Sequence, residues 1–143
     1  DRDRLVGGRS GRGGFARLAA VVKAERANGP TFLIHSGDTI SPSLLSGFDR
    51  GAHVIDILNH MGVDVMTPGN HEFDFGPEIF RQRIGEAKFP VLTSNIREKG
   101  GSQPANTADE RIVEVDGITI GFYGLTTEDT PVVSSCGAEP SSG

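Results

Sequence analysis

The stretch TPGNHEFDFG, Thr67 to Gly76, sets an asparagine, a histidine, a glutamate and an aspartate among turn-forming residues and two phenylalanines. Asn70 offers a neutral amide oxygen that can ligate a divalent cation without adding charge. His71 can ligate or donate a proton. Asp74, three residues on, can hold the imidazole and favour its protonated form, which suits a general acid. Upstream, Asp38 in Ser36-Gly37-Asp38 brings two carboxylate oxygens, enough to bridge two cations. A cation site beside a mobile proton points to metal-assisted hydrolysis rather than serine catalysis. Each residue alone has a plainer role. An aspartate after a strand commonly caps a helix or serves a turn, Gly-Asn is commonly a turn, and Glu72 reads most simply as solvated or as supporting the ligands from behind. The combination carries the chemistry.

The remaining histidines read as structural. His53, Asp56 and His60 have the spacing of a metal face on one helix, but they lie beside its apolar stripe and read as a solvated face. His35 alternates with apolar neighbours and reads as a hydrogen-bonded core residue or a supporting one.

These residues need elements to hold them. TFLIHS (Thr31 to Ser36), DVMT and PVLTSN are short apolar runs with the signature of buried strands, and Asp38 and Asn70-His71 fall just after the first two. In α/β folds ligands gather outside the carboxyl ends of strands, so the two bends are expected to face one crevice. Gly37 and Gly69 allow the sharp turns. Helices are predicted over Phe15 to Asn28, with Phe15, Leu18 and Val22 apolar, and over Ala52 to Met61, with Val54, Ile55, Leu58 and Met61 inward. A third opens at Pro77, with Ile79, Phe80 and Ile84 apolar. GDTISPSLLSGFDRG reads as loop, as does the polar stretch Glu98 to Glu110. RIVEV and ITIGFYGL flank Asp116-Gly117, a two-residue hairpin signal. The order predicts an α/β fold with a mixed sheet.

Composition bounds the partners. The chain has 143 residues, a formal net charge of −5 and 36% hydrophobic residues, one domain's worth of globular chain or a piece of a larger one. The acidic balance argues against a nucleic-acid partner. No apolar run approaches the ~18 residues that cross a bilayer, and no signal peptide is legible. The Gly/Arg-rich start, residues 1–14, lacks the strand and the Gly-Lys-Ser/Thr of a phosphate-binding loop and reads as loop. Residues 132–143 read as a disordered tail, and the single cysteine, Cys136, says little about redox compartment.

HSGDTISPSLLSG, DVMTPGNHEFDFG, FPVLTSNI and GFYGLTTEDT together resemble the metallophosphatase domain of the bacterial 5′-nucleotidase/UDP-sugar hydrolase family, among the calcineurin-like metallophosphoesterases. The resemblance runs from about Gly13 to Pro131, which sets residues 15–131 as a partial domain. It implies part of a four-layer αββα sandwich with mixed sheets and a dinuclear centre of divalent metal ions (Mn, Zn, Fe or Co). Carried over, Asp38 would bridge the two metals, and Asn70 would ligate one and orient the phosphate. His71 would contact the transferring phosphoryl group or leaving oxygen, with Asp74 as its partner. The implied substrate is a small phosphoester, a nucleotide first, and the implied placement is periplasmic or secreted. Related hydrolases of cyclic nucleotides, sugar phosphates or sulfur esters are alternatives, as is a truncated, non-catalytic binding module. The family's early Asp-x-His has only Asp1 and Asp3 as counterparts, with no histidine, and its later Gly-His and Gly-His-x-His segments do not occur. The chain is therefore expected to be an internal piece of a catalytic domain, holding half of the metal ligands.

Overall fold

The computed structural model describes residues 13–133. Asp1, Asp3, Cys136, most of the Gly/Arg-rich start and most of the predicted tail lie outside the described residues. The chain divides into two compact units, residues 1–33 and 34–143. The first contains helix α1, Phe15–Asn28, with the predicted bounds. Its predicted stripe does not hold: Val22 is buried, but Phe15 and Leu18 are exposed. Alanines and Val21 spread the apolar surface around this helix, so no single face gathers it.

The second unit is built on a four-stranded parallel sheet in the order β1-β2-β3-β4, formed by Ile34–His35, Val65–Met66, Val91–Leu92 and Thr107–Ala108. Pairing runs Ile34 to Val65 and His35 to Met66, then Met66 to Val91, then Val91 to Thr107 and Leu92 to Ala108. The paired segments are much shorter than the apolar runs that contain them. β1 ends where Gly37 and Asp38 both take positive φ, and a strand cannot continue through two left-handed residues.

Helix α2, Ser46–Asp49, and helix α3, Ala52–Met61, connect β1 to β2; helix α4, Pro77–Glu86, lies between β2 and β3. Val54, Ile55, Leu58 and Met61 of α3 are buried, as the spacing predicts, together with Phe80 and Ile84 of α4 and Val65, Met66, Val91 and Leu92 of the sheet. Gly62 closes α3 in the left-handed conformation, its N–H reaching the carbonyls of Leu58 and Asn59. Beyond the sheet, β5 (Glu110–Val115) and β6 (Ile118–Tyr123) form a separate antiparallel pair. Asp116 and Gly117 both have positive φ, so the predicted tight hairpin turn is present. Parallel and antiparallel pairing thus coexist, in two sheets. A short helix α5, Thr130–Val133, follows.

Candidate active site

The loops after β1 and β2 leave adjacent parallel strands at the same end, and they touch. A Cβ added to Gly37 would overlap the Gly69 nitrogen, and one added to Gly69 would overlap Oδ1 of Asp38. Only two glycines allow this approach, which lays the Asp38 carboxylate against the residue before Asn70. The His71 N–H donates to Asp38 Oδ1 at 3.2 Å. Asp38 itself is left-handed, with φ of 59°, a strained setting for a residue other than glycine.

Residues Asn70–Phe73 form a single 3₁₀ turn. With three residues per turn, side chains at i and i+3 eclipse, and this sets Asp74 against His71. The His71 Nδ1–H donates to Asp74 Oδ2 at 2.7 Å, from a ring about one-third exposed to a carboxylate that is almost fully covered. That bond holds the proton on Nδ1 and leaves Nε2 for other partners. The Asp74 hydrogen bond is the main cause raising the His71 pKa above the usual imidazole value; partial burial opposes it, and the Asp38 and Glu72 carboxylates add to it.

Glu72, the third residue of the turn, points the other way and is 1% exposed. Its Oε2 accepts from the N–H groups of Asp38 and Gly69, both at 2.7 Å, and its Oε1 accepts from Thr39 at 2.8 Å and Ile40 at 3.2 Å. It is therefore not solvated. Four backbone donors, three of them successive, recover the cost of desolvating the carboxyl group. The sequence offers Glu72 a solvated or a supporting role, and its burial removes the first; the Gly69 donor is local, whereas those of Asp38, Thr39 and Ile40 have no local signal.

His35 is hydrogen-bonded within the same cluster. Its Nδ1 accepts from the Gly37 N–H at 3.0 Å, and its Nε2 lies 3.3 Å from the Thr39 hydroxyl. The Gly37 N–H requires a lone pair on Nδ1, so the ring carries its proton on Nε2; burial pushes its pKa down against the opposing Glu72 and Asp38 carboxylates. A further support comes from after β6. The Asn95 amide accepts from the Thr126 N–H at 3.0 Å and donates to its carbonyl at 2.7 Å, and the Thr126 hydroxyl donates to the Pro68 carbonyl at 2.5 Å. These bonds brace the residue before Gly69, and no motif spacing signals them.

On α3, Asp56 and His60 are exposed as expected, but His53 is not on a solvated face: its Nδ1 donates to the Asp49 carboxylate at 2.8 Å. Asp49 also accepts from the N–H groups of Gly51 and His53, at 3.0 and 2.9 Å, and so caps the start of α3. The His53 ring serves that cap.

A carboxylate and an amide oxygen on touching loops suit a divalent cation in kind. In number they fall short, because among the described residues no three His, Cys, Asp or Glu side chains converge to hold a metal ion. The described residues thus bring the Asp38 loop against the Asn70–His71 bend without a full ligand set. No helix among them is long and apolar enough to cross a membrane.

The calcineurin-like phosphoesterase family profile matches residues 8–132. A snake venom 5′-nucleotidase from Gloydius brevicauda is 36% identical over 131 residues, which cover 87% of this chain and 22% of that protein. Among solved structures, the NAD nucleotidase of Haemophilus influenzae superposes with a TM-score of 0.77 at 30% identity, over 86% of this chain and 25% of the other. A 5′-nucleotidase precursor from Thermus thermophilus gives the same TM-score and coverage at 28% identity. The chain spans about a quarter or less of the length of curated relatives that it matches, 22% in one and 25% in another.

Proposed function

We propose, from the premise that the chain belongs to the calcineurin-like phosphoesterase family, that it forms part of the catalytic domain of a metal-dependent phosphomonoesterase of the 5′-nucleotidase type, acting on nucleotides. The observation that carries the reading is the contact between the Asp38 loop and the Asn70–Asp74 bend, with the His71–Asp74 pair poised beside it. Asp38 and Asn70 would hold the metal centre, two ions of Mn, Zn, Fe or Co. Divalent ions bound there would neutralise charge on the phosphoryl oxygens and activate water. His71, protonated and fixed through Nδ1, would present Nε2–H to the phosphoryl group or the departing ester oxygen. Asp74 would hold the ring in place and keep it charged. The venom relative supports a periplasmic or secreted placement, which fractionation of the producing cells would check.

The test separates the two roles. His71→Ala should lower turnover of a nucleoside monophosphate by ~10²–10⁴-fold with metal content nearly unchanged. Asp38→Ala should remove metal and activity together. Equal metal loss in both variants overturns the division. A panel adding cyclic nucleotides, sugar phosphates and sulfur esters tests the substrate class.

A further inference from the structure

We propose that Glu72 is a positioning residue: its buried carboxylate fixes the spacing between the Asp38 loop and the Asn70–His71 bend, and thereby sets how tightly the site holds a divalent cation. The inference rests on the proposed site and goes beyond it, since Glu72 touches neither metal nor substrate in that reading. All four of its backbone donors lie on the two loops, at Asp38, Thr39 and Ile40 on one side and Gly69 on the other. Its bonds tie loop backbone to loop backbone and reach no strand or helix, although Ile40 among the donors is itself buried. The left-handed Asp38 turns three successive N–H groups toward one point, a concave anion nest filled by the chain's own carboxylate. The same nest sets the direction in which the Asp38 carboxylate leaves the backbone. The Gly37–Gly69 contact leaves no slack for the loops to close further, so loss of the clamp can only part them.

The test uses the full protein and Mn²⁺ as probe, with binding followed by the Mn²⁺ electron spin resonance signal. Glu72→Gln turns an NH₂ toward N–H donors. We expect it to weaken Mn²⁺ binding by about tenfold or more, within the range seen when residues behind metal ligands are changed. We also expect faster amide exchange at Asp38, Thr39, Ile40 and Gly69, and partial recovery of kcat/KM at high Mn²⁺. Glu72→Asp keeps the acceptors one methylene short and should fall between; it reads the same quantities if the glutamine variant does not fold. Unchanged Mn²⁺ affinity in both variants, with only the melting temperature lowered, overturns the proposal. So does fast exchange of those four amides in the unmodified protein. Asp38→Asn runs in parallel. If it loses Mn²⁺ while Glu72→Gln does not, the positioning role alone fails; if Asp38→Asn binds Mn²⁺ normally, the site reading fails and takes the proposal with it.

Discussion

A carboxylate 2.7 Å from Nδ1 decides how much of His71 is charged near neutrality. Asp74→Asn removes the largest influence that raises the ring's pKa. If the protonated ring is the working form, activity falls as pH rises through that pKa. The fall in kcat/KM should then begin at lower pH in Asp74→Asn; an unshifted limb would reduce Asp74 to a turn residue. Asp49 gives the opposite sign. Burial opposes its ionisation, but hydrogen bonds from the His53 ring and the N–H groups of His53 and Gly51 outweigh this and hold its pKa below the usual carboxylate value. Its capping contribution is therefore present above the unfolded carboxylate's pKa, near ~4, and is lost as pH falls through the lower folded value. Asp49→Ala should cost about 1 kcal/mol at neutral pH, the usual worth of a helix cap. In urea melts the gap from the unmodified protein should narrow in acid. A gap that does not change with pH would mean that the loss is one of packing.

Hairpin and helices show which elements a sequence can disclose. Asp116-Gly117 demands positive φ at both positions, and a Cβ at Gly117 would meet nothing within 4 Å, so Gly117→Val isolates backbone strain. It should cost ~1–3 kcal/mol in thermal melts, with Mn²⁺ affinity unchanged at matched folded fraction. A neutral result would mean that the turn relaxes to another type. Local signals of this kind made α1, α3 and α4 legible, since a Gly stop, a first-turn Pro and helical spacing act within a few residues. Asp38, Asn70, His71 and Asp74 stand out by their combination after two strands rather than by type, since Asp and Asn are common in turns. What stayed hidden depends on distant partners. β4 is two residues in a polar stretch and exists because Val91 and Leu92 offer it a ladder. Helix α2 has only four residues, too few for any period, and starts with the Ser43 hydroxyl accepting the Ser46 N–H. Glu72 is buried because the Asp38 loop and the start of its own bend point their donors at it.

Across the whole molecule, the proposed metal donors among the described residues are only Asp38 and Asn70, where holding two ions against water would take several more. The 143-residue chain alone should therefore show no metal-dependent release of phosphate from a generic phosphomonoester or a nucleotide. Turnover lost on His71→Ala would show that the site is complete in this chain. Large apolar side chains also remain open to solvent, Leu44 before α2, Phe48 within it, and Ile112 and Ile118 on the hairpin, and they make the isolated chain prone to self-association. The Glu72 clamp has one more consequence, and it concerns time. Its bonds to Ile40, Thr39 and Asp38 span 32 to 34 residues of chain. A closure of that length spends entropy before any contact rewards it. The bend from Gly69 to Asp74 can form early from neighbouring residues, whereas Asp38 meets it only once β1 has found β2. A newly made chain is thus expected to acquire the bend first, and the Asp38 contact only when the sheet is in place.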